Sequence, residues 1–313
     1  MTAMNEKVFL HYTQAELDRN YDQRAWCPDW ADYLARYPRE SDAFRSANPY
    51  RTISFGETDD ERLDIFPARE GEAPSLIFIH GGAWRSFSKD DFSFVARQFV
   101  NEGFDVIVVN FSKLPQVRMP DLVDQLSGAM KWIYRNAGSV GIDAHRLYLC
   151  GHSSGAHLAA LLAIRDWREY GLPPDLVKGC ALVSGSYDLE PAVLSARGSY
   201  ISITKQEERE LSPIHFADRI SCPVFVAYAE HETDEFRRQS LAFAEAARCA
   251  GKLSDVLCVP DINHFAIVEQ LAKKDSILLS RMLKYFRRSW DARGVGHGRS
   301  DVAERPLGPV DTL

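Results

Sequence analysis

The sequence predicts an α/β fold: a mostly parallel, twisted sheet with helices on both faces. Three observations carry that prediction. Short runs that are apolar throughout alternate with amphipathic stretches of helical period, and strands buried on both faces mark a covered parallel sheet. The pentapeptide Gly151-His-Ser-Ser-Gly155 stands between one such run and an alanine-rich stretch, so it occupies a sharp strand-to-helix turn. The chain has 313 residues, enough for one large domain with a sizeable core.

The elements follow in order. Residues 1–48 form an N-terminal helical arm, with helical spacing of Leu17, Tyr21, Trp26, Trp30, Tyr33 and Leu34 over residues 13–47. The catalytic domain spans 49–290. It opens with two short strands, 51–55 and 61–66, across the turn-like Gly56-Glu-Thr-Asp-Asp60. Further strands are expected at 76–80, 105–110, 145–150, 179–184, 224–228 and 254–259. Helices are expected at 92–101, 121–136, 156–164, 235–250 and 266–288. An irregular segment at about 186–221 makes a small cap. The tail, 291–313, carries glycine, proline and charge and reads as extended.

Composition excludes several classes. Hydrophobic residues make up 45% and charged residues 26%, as in ordinary globular proteins. The net charge of −7, without a basic cluster, argues against nucleic-acid binding. No apolar run approaches the ~20 residues that span a bilayer, and no secretory signal is read at residues 1–11. The six cysteines are scattered without a CxxC pair, which fits a reducing cytoplasm and neither a disulfide framework nor a zinc cluster. Cys150, Cys180, Cys222 and Cys258 sit in or beside apolar runs and are expected to be buried. The aromatic arm and the tail are candidates to wrap a second subunit in a homo-oligomer.

The chemistry starts at Ser153. A serine hydroxyl needs a base to take its proton, and in this type of turn the partners follow as an acid and then a histidine at later strand ends. His264, in Val259-Pro-Asp-Ile-Asn-His-Phe265, holds the base position. His152 lies inside the turn, where its neighbour Ser153 would point elsewhere; His157, on the following helix, reads as structural, and His11, His145, His215 and His297 fall away from the expected strand ends. The acid lies after the strand ending at Tyr228, where Glu230, Glu232, Asp234 and Glu235 are available. A short turn is needed to face the histidine, which favours Glu232 with Asp234 next. The loop His80-Gly-Gly-Ala-Trp84 offers backbone N–H groups to a developing oxyanion. The assigned donors are Gly82, Ala83 and Ser154, and His80 is expected to brace the loop. Trp84, Phe111, Tyr187, Tyr200 and Phe265 are the candidate aromatic substrate contacts.

With these residues in place the chain resembles the α/β-hydrolase superfamily, in the hormone-sensitive-lipase-like branch with His-Gly-Gly loops. More narrowly, it is similar to the arylformamidase (kynurenine formamidase) group. The loop His80-Gly-Gly-Ala-Trp84, the segment Ser184-Gly-Ser-Tyr-Asp-Leu-Glu-Pro191 with Leu211-Ser-Pro213, and His231-Glu-Thr-Asp-Glu-Phe-Arg-Arg-Gln-Ser240 carry the likeness. It covers about residues 50–290. The resemblance implies an α/β-hydrolase fold with a small cap and puts the acid at Glu232, where that group usually has aspartate. It implies acyl transfer on an aryl formamide or related N-acyl arylamine, with a carboxylesterase on small or aryl esters as the alternative. A non-catalytic ligand receptor on the same fold would have lost one of Ser153, Glu232 and His264. The expected partner is a small-molecule amide or ester; no metal or organic cofactor is required.

Overall fold

A computed structural model describes residues 6–68 and 73–294, with side chains through Ser289. The described residues begin with a small hairpin, β1 (Lys7–Phe9) and β2 (Tyr12–Thr13), inside the stretch expected to be helical. The arm follows as α1 (Gln14–Tyr21), a 3-10 turn at Gln23–Trp26, and α2 (Trp30–Ala47). Thr13 and Glu16 start α1 with reciprocal caps: each side chain bonds the other residue's backbone N–H. The domain then runs through β3 (Arg51–Ser54), β4 (Arg62–Phe66), β5 (Ser75–Ile79), α3 (Ala96–Asn101), β6 (Asp105–Val109), α4 (Met119–Val140), β7 (Leu147–His152) and α5 (Ser154–Ile164). It continues with β8 (Val177–Val183), α6 (Glu190–Leu194), α7 (Lys205–Glu210), β9 (Val224–His231), α8 (Asp234–Cys249), β10 (Leu253–Asn263), α9 (Ala266–Glu269) and α10 (Ile277–Gly294).

The main sheet has eight strands in the order β10-β9-β8-β7-β5-β6-β4-β3. β3 and β4 are antiparallel, as is the β4–β6 pair, and the other pairs are parallel. Alternate residues of the central strands feed two cores. Ile77, Ile79, Leu147, Leu149 and Leu182 meet α4, α5 and α8 on one face. Leu76, Phe78, Tyr148, Cys150 and Val183 meet α2, α3 and α10 on the other. This is why these strands lack polar alternation.

Several expectations are corrected. The helix expected at 266–288 is broken: α9 passes through a 3-10 turn at Gln270–Ala272, and exposed Lys273–Asp275 separates it from α10. Ser276 restarts the helix, its Oγ accepting the Leu279 N–H at 3.2 Å. The segment 92–101 begins as a 3-10 turn at Ser93–Val95 before α3. The cap contains two short helices, α6 and α7, and 3-10 turns at Ala196–Ser199 and Pro213–Arg219. β10 is an edge strand and exposes alternate residues, so Cys258 faces outward. Residues 291–294 of the expected tail continue α10, and 295–313 lie outside the described residues.

At the antiparallel edge, Asp64 is fully buried and pairs with Lys89 Nζ at 3.0 Å while Thr52 Oγ1 donates to it at 2.6 Å. Lys89→Met leaves that carboxylate without its cation. Breaking such a pair costs about 3–5 kcal/mol, so a large drop in the urea midpoint is expected. The double variant Lys89→Met, Asp64→Leu is expected to recover part of it.

Candidate active site

The turn after β7 is dictated by its glycines. A Cβ on Gly151 would overlap the Gly155 carbonyl, and one on Gly155 would overlap the Ile79 carbonyl. These close approaches let β5, β7 and α5 meet at one point. Ser153 sits there with φ +55°, a backbone conformation costly for a non-glycine residue. That strain turns its hydroxyl out of the sheet toward the loops beyond the strand ends.

The other two groups come from the ends of β9 and β10. His264 Nε2 is 2.9 Å from Ser153 Oγ, and His264 Nδ1 is 2.6 Å from Glu232 Oε1. Glu232 Oε2 also accepts the Ala229 N–H at 3.3 Å. All three side chains are buried. Glu232 holds Nδ1–H, so the unprotonated Nε2 faces the hydroxyl and is placed to take its proton. The competing acids go elsewhere. Glu235 makes a bidentate pair with Arg238 at 2.7 and 2.7 Å, Glu230 accepts the Asp261 N–H at 3.0 Å, and Asp234 is exposed at the start of α8.

The loop after β5 faces the same point. Gly82 and Ala83 line the cavity above Ser153 and have positive φ, +120° and +52°. Their N–H groups have no acceptor among the described residues, and Ser154 opens α5, where the N–H is free of helix bonding. The Trp84 N–H is engaged: it donates to Ser154 Oγ at 3.2 Å and locks the loop to the turn. His80 braces the loop as expected, its Nδ1–H donating to the Gly81 carbonyl at 2.8 Å between Phe92 and Phe111.

A cavity of about 890 Å³ opens over Ser153 and His264. Of the five aromatic candidates, Tyr200 and Phe265 line it. The other three do not. Trp84 is buried and donates from Nε1 to His157 Nδ1 at 3.2 Å, Phe111 stacks on His80, and Tyr187 stacks on Phe243. They were legible as aromatics near the motifs, but their rings turn into the core. In their place the arm supplies Tyr21, Trp30, Leu34 and Tyr37. The arm is pinned over the site of its own chain. Asn20 Oδ1 accepts the Glu235 N–H at 3.1 Å, Gln23 donates to Thr233 at 3.2 Å, and the Tyr37 hydroxyl donates to the Phe265 carbonyl at 2.7 Å. The helical spacing of its aromatics signalled a packed face but not what it covers.

His152 is a second group whose part the sequence did not reveal. Its Nε2–H donates to the His264 carbonyl at 3.1 Å, and its Nδ1 is buried without a partner. Burial, with His264 nearby, holds its pKa well below the usual histidine range. Burial likewise lowers His80 and His157 to about 4. Both are neutral in the folded protein at pH values where the unfolded chain is protonated. Stability from these groups is therefore full above pH 6.5 and falls as pH drops from 6.5 toward 4. Denaturation midpoints measured across that range are expected to decline steeply, and His157→Gln is expected to flatten the slope.

Comparison with known proteins now bears on this site. The BD-FAE family model matches residues 63–171. Kynurenine formamidase from Danio rerio is 32% identical over 288 residues, 88% of this chain and 97% of that protein. The chain belongs to the kynurenine formamidase family. The Salmo salar kynurenine formamidase is also 32% identical, over 76% of this chain and 82% of that protein. A solved structure from Silicibacter sp. tm1040 superposes with a TM-score of 0.74 at 26% identity, over 85% of this chain and 98% of that one. The Pyrobaculum calidifontis esterase shares the fold, with a TM-score of 0.66 at 20% identity and coverage of 85% and 94%. Membership of the kynurenine formamidase family makes the chain a hydrolase of α/β-hydrolase fold, an amidase or esterase. No helix among the described residues is long and apolar enough to cross a membrane.

Proposed function

We propose that the chain is a serine hydrolase that cleaves an aryl formamide or related N-acyl arylamine through an acyl-enzyme on Ser153. The observation that carries this reading is the hydrogen-bonded line from Glu232 through His264 to Ser153, at 2.6 and 2.9 Å. The formamide part is supported by kynurenine formamidases matched over most of the chain.

Ser153 Oγ attacks the carbonyl carbon and its proton passes to His264 Nε2. Glu232 orients the imidazole and stabilises the imidazolium. The N–H groups of Gly82, Ala83 and Ser154 hold the oxyanion; losing one such donor typically costs about 10²–10³ in rate. The imidazolium then protonates the leaving nitrogen, the C–N bond breaks and the arylamine departs. Water attacks the acyl-enzyme, gives its proton to His264, and the acid is released with Ser153 restored. Trp30, Phe87, Tyr200 and Phe265 offer the arylamine an apolar wall.

An esterase reading uses the same residues. An Oryza sativa subsp. japonica protein named a probable isoprenylcysteine alpha-carbonyl methylesterase, 27% identical over 67% of this chain and 55% of that protein, favours it. A cytoplasmic location is proposed from the cysteines, none of them paired. Steady-state hydrolysis of N-formylkynurenine beside a short-chain phenyl ester separates the readings. High kcat/KM on the formamide supports the amidase. Ester turnover with negligible formamide activity moves the assignment to an esterase.

A further inference from the structure

Glu232 sits on a short joint: β9 ends at His231 and α8 begins at Asp234. From the β9 side the joint is held by the Ala229 N–H, which donates to Glu232 Oε2 at 3.3 Å. From the α8 side it is held by the arm. The first turn of a helix leaves backbone N–H groups without helix partners. In α8, Thr233 Oγ1 accepts the Phe236 N–H at 3.4 Å, and Asn20 Oδ1 accepts the Glu235 N–H at 3.1 Å. Gln23 Nε2 donates to the same Thr233 Oγ1 at 3.2 Å. Asn20 is itself fixed, its Nδ2 donating to the Glu16 carbonyl at 2.9 Å within α1. The Glu235 carboxylate takes no part in the cap; it is engaged by Arg238 and by Gln239 Nε2 at 3.0 Å. Asn20, Gln23, Glu232, Thr233 and Glu235 are all buried, so bulk water does not stand in for either amide.

We propose that Asn20 and Gln23 are positioning residues for Glu232: by completing the cap of α8 they set where the joint places the carboxylate that holds His264. This rests on Glu232 as the acid of the proposed mechanism, and it gives the arm a part in the reaction beyond walling the cavity. The bond from His264 Nδ1 to Glu232 Oε1 is 2.6 Å long. A small displacement of the joint lengthens it and lets the imidazole turn away from Ser153, and misplacement of reacting groups is costly. Asn20 does not line the cavity, so its removal reaches the reaction through Glu232 and not through a substrate contact.

The test compares wild type, Asn20→Ala, Asn20→Asp, Gln14→Ala and Glu232→Gln. One readout is kcat and KM on whichever of N-formylkynurenine and a short-chain phenyl ester the wild type turns over. The other is the downfield proton NMR signal of the Glu232–His264 hydrogen bond in the free enzyme, identified by its absence from His264→Ala. Asn20→Ala is expected to lower kcat by about 10–10²-fold with KM unchanged, short of the loss in Glu232→Gln, and to move the signal upfield. Asn20→Asp keeps an acceptor for the Glu235 N–H and is expected to recover part of both. Gln14→Ala is the control. It loosens the same helix at another contact, the bond from Gln14 Nε2 to the Leu194 carbonyl at 2.8 Å, and is expected to leave kcat and the signal unchanged. Circular dichroism checks that the variants fold. Should Asn20→Ala unfold, Gln23→Met, which keeps the bulk and loses the donor, is read by the same signal. Wild-type kcat and an unmoved signal in a folded Asn20→Ala would overturn the proposal. So would an equal loss in Gln14→Ala. Full activity in Glu232→Gln would instead remove the acid assignment, and the proposal with it.

Discussion

Ser153→Ala is expected to lower kcat by about 10⁶-fold, the scale seen when a nucleophile acting with its base is removed. The loss should appear on amides and esters alike, because every step passes through Oγ. The fold is expected to survive. The turn is held by Gly151 and Gly155, and the Ser153 N–H bond to the Val183 carbonyl at 2.9 Å is a backbone bond that alanine keeps. Thermal unfolding and circular dichroism of the variant check this. An unfolded variant would leave the role of Oγ to be read from Ser153→Cys. Undiminished turnover in a folded Ser153→Ala would remove the nucleophile assignment.

Glu232→Gln carries the second large effect, a fall in kcat of about 10⁴-fold. A carboxylate accepts only, so it fixes the His264 proton on Nδ1. A glutamine can turn its NH₂ to that nitrogen, which puts the proton on Nε2 and deprives Ser153 of its base. The side chain is fully buried, so water cannot substitute. Asp234→Asn is the control. Asp234 is exposed and at the start of α8, and its change is expected to leave kcat alone. A reversed pattern would make Asp234 the acid.

Much of this was legible in the chain because local rules and the fold agree. The strand–turn–helix around Ser153 needs two glycines at fixed offsets, and only a close backbone crossing explains both. The acid and histidine could be ordered because parallel strands deliver their C-terminal ends to one edge. Glu232 could be preferred to Asp234 from turn length, since β9 continues to His231 and the next residue points back to His264.

What failed depends on distant contacts. Trp84 closes the His80–Trp84 loop after β5, yet its indole N–H finds His157 on α5, and proximity in sequence could not show that. Tyr187 and Phe111 turned inward for the same reason: buried aromatic area is available in the core. Helical spacing in the arm does not reveal its destination, because the partners of Asn20, Gln23 and Tyr37 lie more than two hundred residues away. The break between α9 and α10 was hidden by a helical pattern that runs through Lys273–Asp275 and ends only because Ser276 starts a new cap.

If Ser153 is the acylated nucleophile, a serine-directed phosphonate must react there. Peptide mapping after reaction with a fluorophosphonate tests it most directly. One adduct per chain is expected, on Ser153, formed in step with loss of activity, and absent from Ser153→Ala. Activity lost with the adduct on another residue, or full activity with Ser153 labelled, would contradict it.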